Sequence, residues 1–164
     1  MPTVVVPFRG ANGKSRLALP TAERRELALT MLRRVLAAAS EVGDVVLVTD
    51  DEEARALASR WIADPGAGQG AAVAAALSAA KAPALVVNAD LPEIEPQDLR
   101  DLLEAIPTGG IAIVEADDGT TNAVGLAAPE LFEPLYGPGS AARFRERGAI
   151  SVELPRLAHD LDTL

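Results

Sequence analysis

Ala84-Leu85-Val86-Val87-Asn88-Ala89-Asp90-Leu91-Pro92 is a short apolar run that closes on a carboxylate and then a proline. Such a run, rich in branched residues and bounded by turn formers, reads as a strand buried on both faces. Working outward, Thr3 to Pro7, Asp44 to Thr49 and Gly110 to Glu115 repeat the pattern. Between them lie stretches with helical spacing. Thr21 to Ala39 sets Leu27, Met31, Leu32, Val35 and Leu36 on one side after a threonine, and Asp51 to Arg60, Gly70 to Ala80 and Pro96 to Ile106 follow suit. Strand then helix, repeated, predicts a parallel sheet with helices on both faces. After Glu115 the rhythm changes. Asp117-Asp118-Gly119 signals a turn, Asn122 to Ala127 a further strand, Ser140 to Arg147 a short helix after Gly137-Pro138-Gly139, and Ile150 to Leu154 a last strand. The expectation is one α/β domain over residues 1–164 with a mostly parallel, mixed sheet.

Composition narrows the chemistry. With 164 residues, 49% of them apolar, the chain can bury one sizeable core. It has no cysteine and a single histidine, His159, which excludes thiol catalysis, thiolate metal sites and a His-rich zinc centre. A net charge of −9 opposes broad binding to nucleic acid, which needs a continuous basic surface. No apolar run reaches the roughly 18 residues that cross a bilayer, and the first residues lack the charged-then-apolar layout of a leader, so a cytoplasmic protein is expected. A small anionic substrate remains open, provided cations gather locally. Of only two lysines, Lys14 lies between Arg9 and Arg16 in a segment that also carries Gly10 and Gly13.

Gly13-Lys14-Ser15 is not a Walker motif, because Phe8 stands where the first glycine belongs and Pro20 would interrupt the helix. It reads either as a looser phosphate-binding loop, with backbone donors near Gly10 and charge from Arg9, Lys14 and Arg16, or as a solvated basic loop. Gly66-Ala67-Gly68-Gln69-Gly70-Ala71 formally fits a dinucleotide fingerprint, yet two strand-helix units precede it, so it reads better as a glycine-rich turn near a nucleotide base or sugar, or as a plain helix start. Asp90 is delivered to the carboxyl end of a strand, where open parallel sheets bind ligands and where an acid can hold magnesium. In His159-Asp160-Leu161-Asp162, extended alternation points Asp160 and Asp162 the same way, and one of them could complete a magnesium site with Asp90. An acidic solvated tail is the plainer alternative. His159 reads as a packing or partner residue rather than a base. Gly137-Pro138-Gly139-Ser140 offers either an anion site at a helix start, with Arg143 one turn inside, or an ordinary serine cap.

Taken in order, Val6-Pro7-Phe8-Arg9, Lys14-Ser15-Arg16-Leu17-Ala18, Asp90-Leu91-Pro92, Gly119-Thr120-Thr121-Asn122-Ala123, Tyr136-Gly137-Pro138-Gly139-Ser140-Ala141 and Asp160-Leu161-Asp162-Thr163 resemble the guanylyltransferases of coenzyme F420 biosynthesis along the whole chain. The resemblance implies a nucleotidyltransferase fold related to glycosyltransferase A domains. It implies transfer of GMP from GTP to a small phosphorylated three-carbon acid, phosphoenolpyruvate or 2-phospho-L-lactate. By position, Arg9, Gly10, Lys14, Arg16 and Gly70 would engage GTP, and Asp90 and Asp160 would hold Mg2+. Thr121, Asn122, Gly137 and Ser140 would receive the acceptor, with Lys14, Asp90 and Asp160 carrying the catalysis. The sequence departs at Gln69-Gly70, where such proteins often carry Leu-Asn. Expected partners are the two substrates and a second copy in a homodimer, with no nucleic acid and no membrane.

The residue inventory suits that chemistry. A phosphate-oxygen nucleophile is largely ionised at neutral pH, its second pKa being near 6, so no histidine, cysteine or serine base is required. A sugar-phosphate or molybdopterin nucleotidyltransferase, or a GTP-binding module without catalysis, would share the first loop and Asp90. The short span from Thr121 to Ser140 leaves little room for a large acceptor.

Overall fold

The computed structural model describes residues 1–9 and 21–161, and Gly10, Lys14, Arg16 and Asp162 lie outside the described residues. Strand β1 (Thr3–Pro7) is followed by α1 (Thr21–Ser40), β2 (Asp44–Val48), α2 (Glu52–Arg55) and β3 (Trp61–Ile62). Then come α3 (Gln69–Leu77), β4 (Ala84–Val87), α4 (Pro96–Ala105), β5 (Ile111–Glu115) and β6 (Thr121–Leu126). A 3-10 turn (Pro129–Leu131), α5 (Ser140–Glu146), β7 (Ile150–Ser151) and α6 (Pro155–Ala158) complete the described chain.

Among the described residues seven strands form one sheet in the order β3-β2-β1-β4-β6-β5-β7. β1 pairs in parallel with β2 and β4, as β2 does with β3 and β5 with β7, while β6 runs antiparallel to both of its neighbours. The mixed, mostly parallel sheet expected from the alternating pattern is present. Because β6 is reversed, its first residue lies at the edge where β4 and β5 end.

Alternation along the strands sorts the core into two layers. Val4, Val6, Leu85, Val87, Val114 and Ala123 face α1, α4 and α6. Val5, Val86, Ile113, Val124 and Leu126 face α3 and α5. In α1, Ala28, Leu32, Val35 and Ala39 recur at three- and four-residue intervals and are at most 2% exposed, which is why that face packs on the sheet.

Three expectations are corrected. Asp51 to Arg60 is not one helix: α2 ends at Arg55, and Trp61–Ile62 adds a short parallel strand beside β2. Its few apolar residues make a single turn, held by the Asp51 carboxylate accepting from the Ala54 amide at 3.0 Å. The last strand is two residues long and ends at Ser151, because Pro155 starts α6. Ser140 is not a helix cap. Gly139 holds that position at φ 75°, a conformation open to glycine at little cost.

Candidate active site

Asp90 stands three residues beyond β4, half-buried, on the edge where β1, β2 and β4 end. Asp160 lies two residues beyond α6 and is 5% exposed. The Leu161 amide donates to the Asp90 carbonyl at 3.1 Å, so the two acids sit on adjoining stretches of backbone although 70 residues separate them in sequence. Three contacts fix the α6 side of this junction. Leu157 is fully buried in the core, and the Arg156 guanidinium grips Asp98 at 2.8–3.0 Å. The Asn122 amide donates to the Leu157 and Ala158 carbonyls at 3.0 and 3.1 Å. Asp98 also accepts from the Glu95 amide at 2.9 Å, so the pair ties α6 to the first turn of α4.

On the other side of the edge, Arg9 leaves β1 half-exposed, its Nε 3.9 Å from the Asp64 carboxylate. Asp64 accepts from the Gly66 amide at 2.8 Å, which shapes the turn leading to α3. Gly68 caps that helix, and Gly70 lies in its first turn. A Cβ on Gly70 would stand 2.5 Å from the Pro134 Cβ, so glycine is required there by close approach. The contact seats the β6–α5 connection on the start of α3.

The expected acceptor residues divide between the two layers. The β5–β6 register shifts between Val114 and Glu115, so that Val114 faces Ala123 but Glu115 faces Thr121. Asn122 is the extra residue of a β-bulge. It shares the α6 side with Ala123, and Thr121 is thereby turned to the α5 side, where its hydroxyl meets that of Ser140 at 2.8 Å. Thr121, Asn122 and Ser140 are all at most 2% exposed. Gly137 and Gly139 form the turn above Ser140, at φ 114° and 75°. Arg143 donates to the carbonyls of Leu135, Tyr136 and Pro138 at 2.7–3.3 Å, and its guanidinium braces this turn from within. Tyr136 packs between Phe132 and Phe144, and burial holds its phenol well above its ordinary pKa.

His159 sits with Nε2 3.7 Å from Glu93 and Nδ1 3.7 Å from Asp117, joining the loops after β4 and β5 to the α6 segment. It bridges the two loops. Among the described residues no group of three or more His, Asp or Glu is placed to hold a metal. Asp90 and Asp160, on these adjoining segments, are the carboxylates that could hold Mg2+, an ion that takes one or two carboxylates and fills its shell with phosphate oxygens and water.

Residues 12–149 match the MobA-like NTP transferase domain family. The phosphoenolpyruvate guanylyltransferase of Sphaerobacter thermophilus is 38% identical across 97% of this chain and 87% of its own length. Its namesake in Streptomyces scabiei is 36% identical across 98% and 86%. The chain belongs to the phosphoenolpyruvate guanylyltransferase family. It is a nucleotidyltransferase, and its sheet is that of the nucleotidyltransferase fold. A nucleotidyl transferase from Methanothermobacter thermautotroptrophicus superposes with a TM-score of 0.65 at 15% identity, over 99% of this chain and 92% of that one. The 2-C-methyl-D-erythritol 4-phosphate cytidylyltransferase of Thermus thermophilus does so at 0.62 and 19% identity, over 96% and 91%. No helix among the described residues is long and apolar enough to cross a membrane.

Two supports of the site, Arg156 and Asn88, have no motif in the sequence, and a third, Arg143, expected one turn inside an anion site, instead braces the turn. Arg156 makes its hydrogen bonds to Asp98 on α4, Asn88 donates to Thr121 and Asn122, and Arg143 donates to the carbonyls of the turn before Ser140. Only the position of Asn88, directly after a strand and two residues before Asp90, could have drawn attention to it.

Proposed function

We propose that this protein transfers GMP from GTP to phosphoenolpyruvate and releases pyrophosphate, as a step in coenzyme F420 biosynthesis in the cytoplasm. A phosphate oxygen of the acceptor attacks the α-phosphorus of GTP. A new phosphoanhydride bond forms as the bond between the α-phosphorus and the bridging oxygen breaks, and pyrophosphate carries the electron pair away. The observation that supports this reading is the Leu161–Asp90 backbone hydrogen bond of 3.1 Å, which brings the segment carrying Asp160 against the loop carrying Asp90 at the edge where the parallel strands of a nucleotidyltransferase sheet end. The names of the relatives supply the acceptor.

Asp90 and Asp160 would hold Mg2+, which when bound neutralises charge on the triphosphate and favours departure of pyrophosphate. Arg9 and the turn to α3 at Gly70 would face the nucleotide, and Gly10, Lys14 and Arg16, which follow Arg9 in sequence outside the described residues, are the further candidates to engage GTP. Gly137 and the Thr121–Ser140 pair form the acceptor side. In this arrangement Asn122 acts from behind, holding α6 rather than touching the acid, because both of its amide hydrogens are directed to Leu157 and Ala158. No side chain need take a proton from the nucleophile, since the acceptor phosphate is already ionised.

A pyrophosphate-release assay with each of four nucleoside triphosphates against phosphoenolpyruvate, 2-phospho-L-lactate and 3-phosphoglycerate, with Mg2+, tests the assignment. GTP with phosphoenolpyruvate is the expected productive pair. Release with another nucleotide or only with another acid would reassign the substrates, and GTP binding without release would make the protein a binding module.

A further inference from the structure

Three side-chain amides run around the edge of the sheet from one helical layer to the other. Gln69, the first residue of α3, donates from Nε2 to Asn88 Oδ1 at 2.9 Å. Asn88 donates from Nδ2 to the Thr121 carbonyl at 3.1 Å and to Asn122 Oδ1 at 3.3 Å. Asn122 donates onward to the Leu157 and Ala158 carbonyls. The direction of every amide follows from the last step. Backbone carbonyls only accept, so Asn122 must turn its NH2 toward α6 and its oxygen toward Asn88, and Asn88 must then present its own NH2 and leave its oxygen for Gln69.

We infer that Asn88 is a positioning residue of the transfer site: through Asn122 it sets the segment that carries Asp160 against the loop that carries Asp90. The inference rests on the reading of those two acids as metal holders. Asn88 is tied to both segments. Its own backbone amide donates to the Asn122 carbonyl at 3.0 Å, Asp90 follows it by two residues, and its side chain is the central link of the relay to α6. The core of the fold does not need this polar chain, because α6 is already anchored by buried Leu157 and by Arg156 on Asp98. What the relay adds is direction. Groups that orient metal-holding residues from behind matter by about ten- to a hundredfold in metal affinity.

Asn88→Asp keeps the shape of the side chain but sets a carboxylate oxygen against two acceptors, Thr121 O and Asn122 Oδ1. In the full-length protein saturated with a non-hydrolysable GTP analogue, Mn2+ binding followed by the paramagnetic resonance of free Mn2+ should weaken about tenfold or more in this variant. The KM for GTP at saturating metal should change less than threefold, and melting should remain cooperative. Asp160→Asn is measured alongside. If Asp160→Asn weakens Mn2+ binding while Asn88→Asp leaves it unchanged, the positioning role is overturned and the metal reading stands. If Asp160→Asn itself leaves Mn2+ binding unchanged, both fall together. Should Asn88→Asp fail to fold, Asn88→Ser and Gln69→Leu each remove part of the relay, and a weaker shift in the same direction is expected from both; unaltered binding in both overturns the inference.

Discussion

The backbone of Leu161 is hydrogen-bonded to the backbone of Asp90, amide to carbonyl, at 3.1 Å. A main-chain bond is indifferent to the side chains on either side of it, so the juncture of the two acidic segments survives substitution of the acids. Charge and fold can therefore be separated experimentally at this site.

Asp90→Asn and Asp160→Asn should each abolish turnover while leaving circular dichroism unchanged, because the amide keeps the shape and removes the charge. More than about a tenth of wild-type activity in either variant would count against a metal-holding role, since groups that neutralise charge in phosphoryl transfer are worth well over tenfold.

Arg9→Ala and Lys14→Ala should raise the KM for GTP at least several-fold and leave the KM for phosphoenolpyruvate nearly constant. Separate titrations of the two substrates decide it. Equal losses in both would move these cations from nucleotide binding to a shared role in the transition state.

Ser140→Ala removes one partner of the 2.8 Å hydroxyl pair with Thr121 in the floor of the Gly137–Gly139 turn. Loss of that bond should cost about 1 kcal/mol of stability and raise the KM for the acceptor about tenfold, with GTP unaffected. Thr121→Val should give similar losses, and the double variant little more than either alone, as expected for two groups that act as one. Additive losses would show that the hydroxyls act independently.

Gly70→Ala drives a methyl group into Pro134 and should destabilise the protein by about 1–3 kcal/mol, the usual range for overpacking. Pro134→Gly in the same chain should restore part of the loss, read as a rise in the urea midpoint. Without such rescue, the cost would lie in the helix start itself.

Arg25 donates to Asp51 at 2.7 and 3.0 Å and lowers the carboxyl's pKa below its ordinary value, while Asp51 also holds the start of α2. The sign follows from linkage. A carboxyl whose pKa is lower in the folded chain stabilises it fully above the unfolded value, about 3.9, and that contribution fades as pH falls through the folded value. Asp51→Asn should therefore lower the melting temperature at pH 7 and leave a smaller difference from wild type at about pH 2–3. An unchanging gap across that range would assign the loss to the α2 cap alone.

Much of this fold could be read from the chain because its strands are continuous apolar runs. Thr3 to Pro7 is buried at every position and sits between two parallel partners, the arrangement in which the strand signal is strongest. Trp61–Ile62 escaped notice because two residues carry no period, and Asp51 to Arg60 looked helical because charged residues alternate with alanines whether or not the helix continues. The place of Asp90 was legible for a related reason: it follows a buried strand, at the end where parallel sheets bind ligands. Asn122 was expected to receive the acceptor, and its turn toward α6 was not legible, because a bulge leaves no mark in composition and the amide relay joins residues 69, 88 and 122, whose proximity exists only once β4 and β6 are paired.

The bulge at Asn122 makes parity a property of this site. The bulge absorbs Asn122 on the α6 side and leaves Thr121 opposite Glu115 on the α5 side, so the pairing carries information that composition does not. Removing Asn122 would restore regular alternation with Thr121 still opposite Glu115 and still turned to Ser140, and would take away the one side chain that reaches α6. Chimeras that exchange this hairpin among relatives should therefore keep activity when the bulged residue and its amide side chain are kept, even across otherwise unlike residues, and lose it when that one residue is missing, even across nearly identical ones.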